Sequence, residues 1–342
     1  MKVAIHQRKG SFSDAWIEYC NEQNIPYKIV NCYDSDIIEK AKDCDVIMWH
    51  HNHAIYNDVV AAKNILFALE QSGKKVFPNF NTSWHFDNKV AQKYLFEAIG
   101  APLVPSYVFY DKSQAKEWAS NTTFPKVFKL KGGAGSANVK LVKTREDAIK
   151  LINKAFGRGF SQFDRLGYAR ERYSKFRNNQ DTLLGVFKGI GRLIIPTTFA
   201  LKQGREKGYV YFQDYIPNNS FDTRIVVIGN KAIGERRFVR KNDFRASGSG
   251  VYSYEDIDAR LVKIAFEVTQ RLQLQSVAFD FIFNSNNQPL IVEVSYCFGT
   301  IGISNAPGYW DSDLRWYTDK TYPEVWIIET FLHDVLHRKA KI

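Results

Sequence analysis

Along the first 80 positions, short apolar runs alternate with segments whose apolar residues recur at helical spacing. "KVAIHQ", "YKIVN", "DVIMWHH" and "KVFPN" read as strands, with helices over "DAWIEYCNEQN", near 36–42 and over 57–71. Ser13 is the expected N-cap of the first helix. Strand–helix alternation of this kind predicts a parallel sheet covered by helices. In "NTSWHFDNKVAQKYLFEAIG", Val90, Tyr94, Leu95 and Ala98 fall on one helical face, and Gly100 ends the helix. "APLVPSYVFY" is extended, as its prolines require, and helices follow near 113–119 and over 145–155.

The second half has a different rhythm. "GYVYFQDYI" is a strand, and "DTRIVVIGNKAIGERRFV" is a hairpin turning at Gly229-Asn230. "DARLVKIAFEVTQRLQL" is a helix. "SVAFDFIF" and "PLIVEVSY" are strands joined by a loop at 284–289, and "PEVWIIETFLHDVLHRKA" is a packed amphipathic helix. The pattern is α/β at the front and α+β in the C-terminal half.

Composition narrows the class. A chain of 342 residues, 45% apolar and 24% charged, suits a globular protein of two or three domains. No apolar run reaches the roughly 18 residues needed to span a bilayer. "MKVAIHQRKGSF" is too polar for a signal peptide, and Cys20, Cys32, Cys44 and Cys297 form no CxxC pair. Reduced thiols and a cytoplasmic location are the expectation. The net charge is +11, and residues 154–207 hold twelve basic against four acidic residues, an excess of 12 − 4 = 8. Such a balance suits nucleic acid, a membrane surface or an anionic small molecule such as ATP.

Candidate chemistry begins at "FPKVFKLKGGAGSANVKLV", residues 124–142. A P-loop or a Rossmann fingerprint requires a helix after the glycines, and here a strand follows. The glycine run is therefore the tip of a β-hairpin. Its backbone amides could close over an anion, with Lys129 supplying charge, or it could be an ordinary solvated hairpin. Asp280 and Glu293 interrupt two apolar strands, and the connecting loop sets them opposite each other. A shared Mg²⁺ would relieve their repulsion; exposure to solvent is the alternative. Asp222 and Arg224 share a strand face, and "ERRFVRKNDFRAS" adds Glu235, Arg236, Arg237, Arg240 and Arg245. Together they suit a clamp for an anionic substrate and a transferring phosphoryl group. In "WHHNH", His51 and His53 share a strand face. A zinc site lacks a third ligand there, leaving substrate contact or a plain polar strand end.

The ordered set "DNKVAQKYLFEAIGAPLVPSYV", "FPKVFKLKGGAGSANVKLV", "YFQDYI", "FDTRIVVIGNKAIGERRF", "NDFRAS" and "VAFDFIF…LIVEVSYCFG" resembles the ATP-grasp superfamily over residues 75 to 305. The likeness is to the branch of ribosomal-protein glutamate ligases and glutathione synthetases. The resemblance implies an ATP-grasp fold with a Rossmann-like N-terminal domain (1–80). A small subdomain (81–210) would carry the glycine hairpin and a basic insertion at about 155–207, and a large subdomain (211–342) the metal site. It implies ATP with Mg²⁺, or Mn²⁺ in its place, and an amide formed from a carboxylate and an amine through an acyl phosphate. Lys89 and Lys129 would contact ATP, and Gly132, Gly133, Gly135 and Ser136 would cover its phosphates. Gln213, Asp214, Tyr215 and Ile216 would hold adenine, and Asp222 the ribose. Asp280, Glu293 and Ser295 would bind metal, with Arg224 and Arg245 on substrate or phosphate.

Two departures from the resemblance stand out. Ser295 replaces the asparagine usual two residues after the metal-binding glutamate. The basic segment lengthens the path from glycine loop to hinge; it reads equally as the recognition element for a large anionic acceptor, such as a sugar acid on a polysaccharide or nucleotide carrier, and as a solvated basic excursion. Two rival readings share these features: an ATP-binding protein of the same fold without ligase activity, and a basic nucleic-acid-binding protein. The second rests on Phe160, Phe163, Tyr168, Tyr173 and Phe176 interleaved with arginines, and it ranks below the ligase.

Overall fold

The computed structural model describes residues 1–133, 138–162, 172, 173, 176, 182–194, 198–240 and 243–339. The chain packs as two compact units. One comprises residues 1–86, 100–102 and 218–342; the other comprises 87–99 and 103–217.

The first unit opens with four strands, β1 (Val3–His6), β2 (Tyr27–Val30), β3 (Val46–Met48) and β4 (Lys75–Phe77). They form a wholly parallel sheet in the order β2-β1-β3-β4. Helices α1 (Phe12–Glu22), α2 (Ile37–Lys40), α3 (Tyr56–Gln71) and α4 (Phe80–Ser83) connect the strands or follow the last. Apolar side chains on both faces make these strands near-continuous in hydrophobicity, as a helix-covered parallel sheet requires. The N-cap of α1 is Ser11 and not Ser13. Ser11 accepts the amide of Ser13, whose own hydroxyl is buried and donates to the Arg8 carbonyl.

The second unit contains α5 (Lys89–Ala98), capped by the Asn88 side chain, and β5 (Ser106–Phe109), α6 (Lys112–Asn121), β6 (Lys126–Lys129), β7 (Lys140–Val142) and α7 (Arg145–Ala155). It continues with β8 (Phe160–Ser161), α8 (Leu183–Ile194), α9 (Thr198–Gln203), β9 (Arg205–Glu206) and β10 (Val210–Asp214). Strands β5-β10-β6-β7 form an antiparallel sheet. One face, with Phe128, Val142, Val210 and Phe212, packs on Ala115 and Ala119 of α6 and Ala148, Ile152 and Ala155 of α7.

The chain then returns to the first unit with β11 (Phe221–Ile228) and β12 (Lys231–Phe238), the hairpin turning at Gly229-Asn230, where Gly229 adopts a positive φ of 57°. After β13 (Tyr252–Ser253) come α10 (Ala259–Leu272), β14 (Ser276–Phe283), β15 (Pro289–Ser295), β16 (Tyr309–Asp311), β17 (Trp316–Tyr317) and α11 (Pro323–Lys339). The sheet runs β15-β14-β11-β12-β16-β17, with β13 on β12. Val3, Ile5, Trp16, Met48 and Phe77 share one core with Val226, Ile228, Ala278, Ile328 and Phe331, so the parallel sheet, this antiparallel sheet and α11 bury each other. No helix among the described residues is long and apolar enough to cross a membrane.

Candidate active site

In the second unit, period-two alternation on β6 and β10 puts Phe128, Val210 and Phe212 on the helix-packed face and Lys129, Tyr211 and Gln213 on the other. Lys129 pairs with Tyr211 in the ladder, and Gln213 pairs with Ser106 and Val127. Their side chains form one buried network. Lys129 Nζ donates to Gln213 Oε1 at 2.6 Å, while Gln213 Nε2 (3.2 Å) and Tyr211 OH (2.9 Å) donate to Ser106 Oγ. A buried ammonium requires acceptors of this kind. Lys126 reaches Asp214 Oδ1 at 2.6 Å. Tyr215 and Ile216 follow β10, both half-buried.

The glycine run lies in the sequence between β6 and β7, which pair antiparallel with Lys126 opposite Val142 and Phe128 opposite Lys140. Its start is held at several points. Asp87 Oδ1 accepts the Gly133 amide at 2.8 Å, and Lys89 Nζ donates to the Gly133 carbonyl at 2.9 Å. The Lys89 amide also donates to the Lys131 carbonyl at 2.9 Å. Gly133 has a φ of +107°, and a Cβ on Gly132 would lie 3.0 Å from Asp87 Oδ2. Both positions therefore favour glycine. On the far side, Asn138 Nδ2 donates to the carbonyls of Ser161 and Gln162. Gly135 and Ser136 lie outside the described residues.

In the first unit, a row of charges crosses four strands: Glu293 on β15, Asp280 on β14, Arg224 on β11 and Glu235 on β12 are successive ladder partners. Asp222 and Arg237 are partners in the next row on the same face. Arg224 grips Asp280 with both arms, Nε to Oδ1 at 2.8 Å and Nη2 to Oδ2 at 3.0 Å. Arg237 grips Asp222 at 2.7 and 2.6 Å and also reaches Asp280 Oδ2 at 2.7 Å. Burial opposes ionisation of Asp280, but the two guanidinium groups outweigh it and hold the carboxyl well below its ordinary value. Glu235 lacks such a grip: its Oε2 is buried without a hydrogen-bond partner, and burial raises its pKa to about 7.

The facing of Asp280 and Glu293 depends on a bulge. The loop ends at Gln288 and not at 289, because Pro289 already pairs with Phe283. An unbroken ladder from that pair would set Val292 opposite Asp280. The register shifts between Asp280 and Phe281, and Glu293 takes the position instead. Ile291 and Val294 thereby both reach the core.

The other expected residues make the following contacts. Arg245 is bidentate to Asp243, with Nη2–Oδ2 at 2.6 Å. Ser295 Oγ donates to the Cys297 carbonyl at 3.2 Å. β3 ends at Met48, so His51 and His53 lie in the following loop and not on a strand. His51 is buried, with Nε2 2.9 Å from Ser83 Oγ, and Tyr296 OH donates to its carbonyl. Among the described residues no three His, Cys, Asp or Glu side chains gather as a metal cluster. Asp87, Lys126, Glu206 and Tyr209 had been given no part. Lys131 N donates to Tyr209 OH at 2.7 Å, and Tyr209 OH donates to Glu206. The only sequence signal for Asp87 was its place in "DNK".

Residues 192–309 match the family model of the RimK-like ATP-grasp domain. A RimK-domain ATP-grasp protein from Sphaerobacter thermophilus superposes with a TM-score of 0.60 over 96% of this chain and 99% of its own, at 16% identity. The chain has the ATP-grasp fold. D-cycloserine synthetase DcsG shares this ATP-grasp architecture with a TM-score of 0.60 at 11% identity, over 98% and 100% of the two chains. The ATP-grasp ligase PsnB, solved with a minimal precursor, Mg and ADP, gives 0.57 at 9% identity over 98% of each chain. No curated protein matches the chain in sequence.

Proposed function

We propose that this chain is an ATP-dependent carboxylate–amine ligase that forms an amide through an acyl phosphate. The observation that carries the reading is the ladder pair Asp280–Glu293 beside Arg224 and Arg237: two adjacent hard-oxygen donors next to two cations. Two carboxylates and the Ser295 hydroxyl suit Mg²⁺, or Mn²⁺, which keeps waters and phosphate oxygens as its remaining ligands. Held by Asp280, Glu293 and Ser295, the ion would supply positive charge to offset the negative charge that develops on transfer. The arginines that now neutralise Asp280 would turn to those phosphates. In this reading Lys89, Lys129, Gly132 and Gly133 contact the phosphates, with Gly135 and Ser136 completing the loop. Gln213, Asp214, Tyr215 and Ile216 hold adenine, and Asp222 holds the ribose. Arg224 and Arg245 steady the carboxylate and the phosphoryl group.

The γ-phosphoryl group passes to a carboxylate oxygen and releases ADP. An amine then attacks the carbonyl carbon, phosphate leaves, and the amine loses a proton. Two of the three named solved structures are a synthetase and a ligase solved with its minimal precursor. For this chain the substrates are proposed to be a free or carrier-linked carboxylate, such as a sugar acid or amino acid, and an amine, in the cytoplasm.

A second reading, ATP binding without amide formation, is favoured by the full ionic pairing of Asp280 and by Ser295 in the usual asparagine position. One assay separates the two. ADP release is measured across a panel of uronic acids, amino acids and amines. Release that needs both a carboxylate and an amine, and that is lost in Lys129→Ala, is the expected result. ATP binding with no such release, or full activity in Lys129→Ala, counts against the ligase.

A further inference from the structure

Helix α8 has the sequence LLGVFKGIGRLI and separates apolar from other positions around its circumference. In a globular protein such a helix turns its apolar stripe to the core. Here three of its apolar side chains face outward. Gly185 is buried, while Leu184, Phe187 and Ile190 are 64%, 62% and 50% exposed. Gly191, one turn beyond Phe187, is exposed too, and a side chain there would meet nothing within 4 Å. On the following helix, Leu201 is 67% exposed. A row of exposed apolar side chains along one helix face, as at Leu184, Phe187 and Ile190, marks a contact surface.

The surrounding sequence limits what that contact can be. Residues 154–207 carry the excess of eight positive charges. A second copy of this chain would match the apolar stripe but bring the same positive excess against it. A nucleic acid would match the charge but offers no aliphatic phase for Leu184 and Ile190. A surface with anionic groups above a hydrocarbon layer meets both demands. We propose that α8 is an interfacial helix that seats the protein on an anionic lipid surface, with Leu184, Phe187 and Ile190 entering the boundary between headgroups and acyl chains.

This inference is independent of the ligase reading. It is tested on the full chain by co-sedimentation with phosphatidylcholine vesicles, alone or with roughly one third phosphatidylglycerol. Binding to the anionic vesicles is expected, weakening as NaCl rises from about 0.1 to about 0.5 M. The combined variant Leu184→Gln, Phe187→Gln, Ile190→Gln should lower the partition coefficient by at least about tenfold. Its circular dichroism and urea midpoint should not change, because the three side chains support no core. In Phe187→Trp, indole emission should shift to the blue with anionic vesicles only. The proposal is overturned if the parent chain stays in the supernatant with every vesicle, or if the combined variant binds as tightly as the parent. Dimers that the same three changes dissociate, without lipid binding, would assign the face to a second copy and also overturn it.

Discussion

Asp280 receives two arms of Arg224 and one of Arg237, whereas Glu293, its ladder partner, is half-buried at the next strand. Asp280→Asn takes from Arg224 the carboxylate it grips and leaves Asp222 alone facing Arg237, and should cost about 3–5 kcal/mol in urea unfolding. Asp280→Asn and Glu293→Gln should each reduce ATP turnover by at least about 100-fold, since each would remove a metal ligand. Glu235 acts differently. Burial lifts its carboxyl from 4.5 to about 7, with Arg224 and Arg237 opposing the rise and Asp280 and Asp222 adding to it. The folded protein thus holds a proton that the unfolded chain releases. The associated stability is fully present below 4.5 and is lost as pH rises through about 7. Glu235→Gln should match the parent at a pH of about 5 and exceed it at about 8, by roughly 1–3 kcal/mol, in urea midpoints at the two values.

At the scale of elements, the glycine hairpin depends on its foot. Asp87 and Lys89 hold both backbone groups of Gly133, so the point where the chain leaves β6 for the glycine run is fixed by these two contacts. Asp87→Ala should loosen that foot and raise KM for ATP about tenfold, with kcat little changed, in steady-state ADP release. The hairpin itself was legible in the sequence, because a strand follows the glycines where a P-loop needs a helix. So was the Gly229-Asn230 turn, whose residues favour that geometry over nearly all others. The facing of Asp280 and Glu293 was legible only by offsetting errors. The loop was taken one residue too long, and the bulge at Val292, unmarked by glycine or proline in "LIVEV", restores the register. The cap of α1 was misplaced by two residues because Ser11 and Ser13 are equally good cap types, and only the burial of Ser13 decides between them. The arginine grips were not legible. They depend on which strands become neighbours, and β11 lies between β12, next in sequence, and β14, nearly fifty residues on.

At the scale of the molecule, ligand binding should register as added stability. MgATP at about 100 times its Kd contributes about 2.7 kcal/mol to the folded state, so the thermal midpoint should rise by several degrees. EDTA should remove most of the rise, and Asp280→Asn should remove its metal-dependent part. The first unit imposes a further condition. Val3, Ile5, Trp16, Met48 and Phe77 are buried against Val226, Ile228, Ala278 and Phe331, and the Trp16 indole donates to the Glu324 carbonyl at 3.1 Å. The leading 86 residues are therefore no detachable accessory. A chimera that grafts another protein's front portion onto this antiparallel sheet must transplant the opposing side chains as well, or the recombinant chain will present raw hydrocarbon and precipitate.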